Sequence, residues 1–270
     1  MSFSERGFRP PGYPEGQPEL QENALAGKIM LITGGSQGIG AAVARISAGL
    51  GASGIVINSR FRSEGAATTL VDELKVIGKK SKTRALWIPG DIAEEETAEM
   101  LVGVTVQEFG RLDVLVNNAG IFNDEFFVRM SDAQVRSVFE TNFFGAWRLT
   151  QEGIKQMREQ RPRGGSIVFT SSIATEGSPG QANYAASKGA INGLVKSLAG
   201  EYRKANIRVN AVAPGLADTD LTADLTPQQR AALLIATGAE RALTAEEVAK
   251  HILFLASANV TGQIVPILRP

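Results

Sequence analysis

Short, mostly β-branched apolar runs recur along the chain, separated by longer stretches in which apolar positions repeat every three or four residues. The runs at 28–33, 54–58, 85–88, 113–116, 166–170, 207–211 and 263–267 predict seven strands. Several are apolar nearly throughout, the pattern of parallel strands covered by helices on both faces. The intervening stretches show helical spacing, as in Ile191, Leu194, Val195 and Leu198, which marks a core stripe and not a ligand box. Alternation of the two patterns predicts an α/β fold: a single doubly wound, Rossmann-like domain with a seven-stranded parallel sheet flanked by helices. Pro266 in the last run lacks an N–H, which suits an edge strand and argues against a sheet continued across a subunit interface.

Residues 1–26 read as a proline-rich N-terminal extension with Pro10, Pro11, Pro14 and Pro18, and 27–270 are expected to form the single Rossmann-like domain. Composition leans toward disorder in the extension; wrapping around a neighbouring subunit is the alternative. With 270 residues, 43% hydrophobic and 21% charged, the chain has the means to build one sizeable core. A formal net charge of zero gives no general attraction to nucleic acid or anionic lipid, and no span of about 20 apolar residues suggests a membrane helix. Cysteine is absent, which removes disulfides, thiolate catalysis and sulfur-ligated metals, and the expected location is cytoplasmic. The one histidine, His251, sits beside a stripe of Val248, Ile252 and Leu255 and is expected at the surface or boundary. No metal site is expected, and a Ser-His-Asp hydrolase would lack its placed base.

Candidate chemistry starts at Thr33-Gly-Gly-Ser-Gln-Gly-Ile-Gly40, which follows the first strand and opens a helix. Gly34, Gly38 and Gly40 would permit the turn and the close approach of a diphosphate, and Ser36, Gln37 and Ile39 lie between them at the helix N-terminus. The second strand ends Asn58-Ser59-Arg60, where an acidic residue would select the ribose hydroxyl of NAD. Ser59 cannot repel a phosphate and Arg60 can pair with one, so NADP is the expected cofactor and NAD the less favoured, with Arg62 as support. Far downstream, Tyr184 and Lys188 share one helix face at a spacing of four. A neighbouring ammonium is expected to favour the phenolate, making the pair a candidate acid/base unit.

These motifs, with Asn117-Asn118-Ala119-Gly120, Asn142 in Thr-Asn-Phe-Phe-Gly, a serine after the fifth strand and Pro214-Gly215 with Thr219, resemble the short-chain dehydrogenase/reductase family. Residues 25–263 look like its β-ketoacyl-carrier-protein reductase-like branch. The resemblance implies hydride passage between nicotinamide and a ketone or secondary alcohol. In that chemistry Tyr184 gives the proton, Lys188 holds the nicotinamide ribose and biases the phenol, and Asn142 anchors a water linking Lys188 to solvent. It also implies cofactor contacts at Asp91, Ile92, Asn118, Ala119, Gly120, Pro214, Gly215, Ala217 and Thr219. Strand register selects Ser172 to bind the carbonyl oxygen, whereas the family's usual spacing before the tyrosine selects Ser171. Gln37 stands where many NADP-using members carry a basic residue, leaving the phosphate grip mainly to Arg60.

Two rival readings are an NAD-dependent polyol or hydroxysteroid dehydrogenase and a non-catalytic nucleotide-binding sensor. Residues 216–241 are expected to form a substrate lid after the sixth strand. Phe122, Phe126, Phe127 and Leu216 are candidates for an apolar crevice wall, or for core or subunit contacts. The expected partner is a small carbonyl or alcohol substrate, and similarity to tetrameric proteins suggests a homo-oligomer, tetramer or dimer, built from the helices at 132–158 and 185–203.

Overall fold

The computed structural model describes Tyr13 and residues 16–268. The other residues of the N-terminal extension, 1–12 and 14–15, lie outside the described residues, as do 269–270. Seven strands, β1 (Ile29–Thr33), β2 (Gly54–Ser59), β3 (Arg84–Pro89), β4 (Val114–Asn117), β5 (Gly165–Thr170), β6 (Ile207–Pro214) and β7 (Ile264–Ile267), form one sheet in the order β3-β2-β1-β4-β5-β6-β7. All neighbouring pairs are parallel. The residues of β1, β2 and β4 are buried throughout, as the unbroken apolar runs require. Pro266 pairs with Ala213 on the edge strand β7.

The described residues also form eight α-helices, α1 (Gly38–Gly49), α2 (Glu64–Ile77), α3 (Glu95–Phe109), α4 (Asp132–Phe139), α5 (Ala146–Glu159), α6 (Ala182–Glu201), α7 (Pro227–Thr237) and α8 (Ala245–Ser257), of which α7 buries no residue. One apolar cluster joins α1, α2 and α8 to one face of the sheet through Met30, Ile32, Ile55 and Val116. A second packs α3, α5 and α6 against the other through Leu31, Val56, Leu115 and Phe169. The strand order reverses between β1 and β4, so the crevice for a ligand lies beyond their carboxyl ends.

One feature differs from the sequence-based expectation. His251 is buried, because Tyr13 stacks on its ring at 5.7 Å, hydrogen-bonds its Nδ1 and meets Phe254 edge-on at 5.1 Å. Tyr13 and Leu25 thereby join the core cluster, with Leu20 packed beside it. Asn142 lies in a π-helical turn, Glu140–Gly145, that carries α4 into α5 with no interruption of the chain's helical course, in keeping with the single helical run expected over 132–158.

Candidate active site

A cavity of about 500 Å³ lies over the carboxyl ends of the central strands, reaching from the β2 end at Ser59 to the β6 end at Pro214. The glycine turn forms one wall. Gly34 and Gly38 take φ of 60° and 52°, conformations that glycine adopts without the steric cost of a Cβ. A Cβ on Gly40 would fall 2.2 Å from the Gly34 carbonyl oxygen, so only glycine lets α1 start this close to the turn. Gly40 therefore stands behind the wall, while Gly34, Ser36, Gln37, Gly38 and Ile39 line it. No side chain caps the N-terminus of α1. Its first N–H groups and the helix dipole thus form a ready anion site beside the cavity.

Thr33 ties this turn to the neighbouring strand. Its hydroxyl accepts from the backbone N–H groups of Asn118 and Ala119, both at 3.1 Å, and the Asn118 amide donates back to the carbonyls of Thr33 and Gly34 at 3.1 and 3.2 Å. Asn118, Ala119 and Gly120 are thereby fixed on the cavity wall. Thr33 opens the glycine motif, but its clamping role depends on pairing between strands distant in sequence.

At the β2 end, Ser59, Arg60, Arg62, Asp91 and Ile92 line the cavity. Ser59 belongs to the strand, and its hydroxyl accepts from the Trp87 indole at 3.0 Å. Arg60 has Asp91 as a partner at 3.9 Å, a loose and partly exposed pair that leaves the guanidinium N–H groups available to a second anion. Pro214, Gly215, Ala217 and Thr219 complete the opposite wall, Thr219 lying against Gly38, where a Cβ would sit 3.3 Å away.

The proton-transfer candidates gather at the β5 end. Both serines line the cavity, but Ser171 is buried with its hydroxyl committed to Asn192 Oδ1 at 2.7 Å, whereas Ser172 is only partly buried and its hydroxyl lies near enough to the Tyr184 phenol to favour the phenolate. Ser172 Oγ also accepts from the Ala174 N–H at 3.1 Å, which fixes its direction. Lys188 Nζ lies 5.6 Å from the Tyr184 ring centre and donates to the Thr170 carbonyl at 2.7 Å. Asn142, off the cavity wall and only 2% exposed, locks its side chain onto Ile121, accepting from its N–H at 2.8 Å and donating to its carbonyl at 2.9 Å. Gly120 separates it from Lys188: a Cβ there would be 3.3 Å from Asn142 Oδ1 and 3.5 Å from Lys188 Nζ.

Electrostatics here depart from the expectation that Lys188 favours the phenolate. Burial dominates and pushes the Tyr184 phenol up to about 12, against a smaller lowering by Ser172, with nearby Asp124 adding to the rise. Burial also pulls the Lys188 ammonium down to about 8. At neutral pH the pair is therefore a protonated phenol beside a mostly protonated amine.

Of the apolar candidates, Phe122 and Leu216 line the cavity and Phe122 meets the Tyr184 ring edge-on at 6.4 Å. Phe126 and Phe127 are exposed and do not line it. Residues missed by the sequence reading include Gln181, on the wall just before α6, and Asp124, which accepts from Gln181 Nε2 at 2.8 Å. Neither stands in a motif that marks it; the link is made by the loop after β4 meeting the start of α6. Among the described residues no group of acidic or histidine side chains could hold a metal, and no helix is long and apolar enough to cross a membrane.

Comparison with known proteins matches residues 28–230 to the family model described as short chain dehydrogenase. The chain is 40% identical over 247 residues to a 3-oxoacyl-[acyl-carrier-protein] reductase of Thermotoga maritima, covering 90% of this chain and 97% of that protein. The corresponding Escherichia coli reductase is 38% identical over 240 residues, 88% of this chain and 94% of its own length. A crystal structure of a short chain dehydrogenase from Burkholderia cenocepacia in complex with NADP superposes with a TM-score of 0.80 at 29% identity, covering 90% of this chain and 97% of that one.

Proposed function

Because the chain belongs to the short-chain dehydrogenase/reductase family, we propose that it moves a hydride between NADP and a ketone or secondary alcohol, with Ser172, Tyr184, Lys188 and Asn142 as its proton-transfer group. The observation that carries the reading is the convergence of Ser172, Tyr184 and Lys188 on a cavity that also holds the glycine turn and Arg60. The uncapped start of α1 suits a diphosphate, and Arg60 suits the additional phosphate of NADP. The NADP complex of the Burkholderia relative agrees with this choice.

Bound there, NADPH would supply the hydride to the carbonyl carbon. Ser172 donates a hydrogen bond to the carbonyl oxygen, and Tyr184 gives that oxygen its proton as negative charge develops, so ketone, hydride and proton balance to the alcohol. The raised proton affinity of Tyr184 keeps the donor loaded at neutral pH. Lys188 stabilises the tyrosinate left behind and relays its reprotonation, while Asn142 holds the Ile121 backbone beside that path. Residues 216–241 act as a lid. Their ends are pinned by Asp218 N–H to Leu243 O and Leu243 N–H to Leu216 O, both at 2.8 Å, whereas α7 between them contributes no buried residue. A cytoplasmic homotetramer or dimer completes the proposal, supported by exposed Phe144 and Trp147 on the run from α4 into α5.

The test is consumption of NADPH and NADH against a panel of ketones, with Arg60→Ala in parallel. NADPH is expected to be used at least about tenfold more efficiently, and the variant to lose that preference, since a charge-assisted phosphate contact contributes roughly 1.5–3 kcal/mol. Equal use of both cofactors with no effect of Arg60→Ala would remove NADP selectivity from the proposal.

A further inference from the structure

The charges around the substrate end of the cavity narrow the class of ketone it accepts, an inference that rests on the oxidoreductase reading above. Neighbouring strands lie about 4.8 Å apart, so the phosphate end at β2 and the reacting end at β5, three strands away in the sheet order, are separated by roughly 14 Å. Arg60 and Arg62 therefore serve the cofactor and not the carbonyl compound. Phe122 meets the Tyr184 ring and Ile173 follows Ser172, and the apolar lining continues through Leu216, Leu221, Leu225 and Leu233 of the lid segment.

Three segments frame this end: the loop after β4 (121–131), the loop after β5 (171–181) and the lid. Their only cations are Arg129, Arg230 and Arg241. Each is already held: Arg129 by Glu125 at 2.8 Å, Arg230 by Asp218, and Arg241 by Glu247 at 2.8 Å. Lys188 spends one N–H on the Thr170 carbonyl. Negative groups are closer to hand. Asp220 lines the cavity at its solvent-exposed edge, and Asp124, exposed and off the wall, holds Gln181, which lines it. Gln181 commits one Nε2 N–H to Asp124 and its Oε1 to Ser178 at 2.8 Å, which leaves a single neutral N–H for an incoming anion.

We propose that the site is built for an uncharged ketone with an apolar body and discriminates against ketones that carry a carboxylate near the carbonyl, with Asp124 as a specificity-determining residue acting through Gln181. A carboxylate entering this end would give up water for an apolar wall with no free guanidinium and two carboxylates nearby, whereas the matching ester gives up little.

The experiment compares ethyl 5-oxohexanoate with 5-oxohexanoate, assayed by NADPH oxidation with the wild-type enzyme and Asp124→Asn, with NADPH binding followed by fluorescence. The ester is expected to have at least about a hundredfold higher kcat/KM, the scale set by burying an unpaired charge. Asp124→Asn keeps an acceptor for Gln181 but removes the charge, and is expected to narrow the ester-to-acid ratio at least about threefold. A wild-type ratio near one, or a ratio that Asp124→Asn leaves unchanged, overturns the inference alone. If NADPH binds but no neutral ketone of the panel is reduced, the oxidoreductase reading fails and this inference with it.

Discussion

Lys188 shows how one buried side chain couples activity to stability in opposite senses. Its ammonium is desolvated and its pKa falls to about 8, from a value near 10.4 expected in an unfolded chain. Between those values the unfolded state binds more protons than the folded one, so this residue's contribution makes stability rise with pH. The burial penalty is therefore full below about pH 8 and relieved as pH climbs toward 10.4, worth roughly 3 kcal/mol across the window. The cation proposed to stabilise the tyrosinate disappears over the same range. We expect kcat/KM for ketone reduction to fall about tenfold per pH unit above pH 8, while denaturation of the wild type, compared with Lys188→Met, shows the stability gap closing between pH 8 and 10. A flat kcat/KM profile to pH 10 would contradict the role given to the ammonium. The residue types of this site were legible in the sequence, but their protonation was not: spacing puts a cation near the phenol, and only the burial around both decides that the phenol is raised. The choice between Ser171 and Ser172 has the same character. Motif spacing and strand register point to different serines, and what distinguishes them, the Ser171 hydroxyl committed to Asn192 and the Ser172 hydroxyl near the Tyr184 phenol, follows from the packing of the turn after β5 against α6.

At the scale of elements, the glycine turn and the helix it opens are one unit, and their close contact is specified by the lack of a single methyl group. Gly40→Ala would set a Cβ against backbone, 2.2 Å from the Gly34 oxygen and 2.8 Å from its carbon, so the turn itself must shift. Overpacking of this kind costs about 1–3 kcal/mol, and here the shift falls on the surface offered to the cofactor. The expected result is a loss of NADPH affinity of at least about tenfold together with a lower melting temperature. Gly103→Ala in α3 serves as the contrast, since nothing lies within 4 Å of the added atom. Its melting temperature should hold or rise, helix propensity favouring alanine by up to about 1 kcal/mol, with NADPH binding unchanged. Unchanged NADPH affinity in Gly40→Ala would show that the turn does not need this approach. The strands and the glycine turn were readable because their signals are local. The π-helical turn around Asn142 was not, because it answers to contacts far away in sequence: Gly145 approaches Ile92 so closely that a Cβ would lie 2.4 Å from its carbonyl oxygen.

For the whole molecule, the sheet order and the two-sided core follow from apolar runs with helices between them, whereas the way the chain's beginning closes on its end does not. Composition marks residues 1–26 as polar and proline-rich, and His251 as a boundary residue. Yet Tyr13 lies 238 positions before His251 and packs between it and Phe254 on α8, the helix that itself packs on α1. No local pattern could announce a contact of that separation. Its energetic content is that of a nearly buried aromatic ring, so Tyr13→Ala should cost about 2–4 kcal/mol, somewhat below the cost of deleting a fully enclosed ring. For a chain of this size that corresponds to a fall of roughly 5–10 °C in melting temperature. Neither Tyr13, His251 nor Phe254 lines the cavity, so kcat and KM at 25 °C should stay within about twofold of the wild type, read by NADPH oxidation on the same samples. A Tyr13→Ala enzyme that melts with the wild type would make the contact energetically idle, and one that melts normally but loses activity would tie the chain's beginning to the site by a route the packing of α8 does not supply.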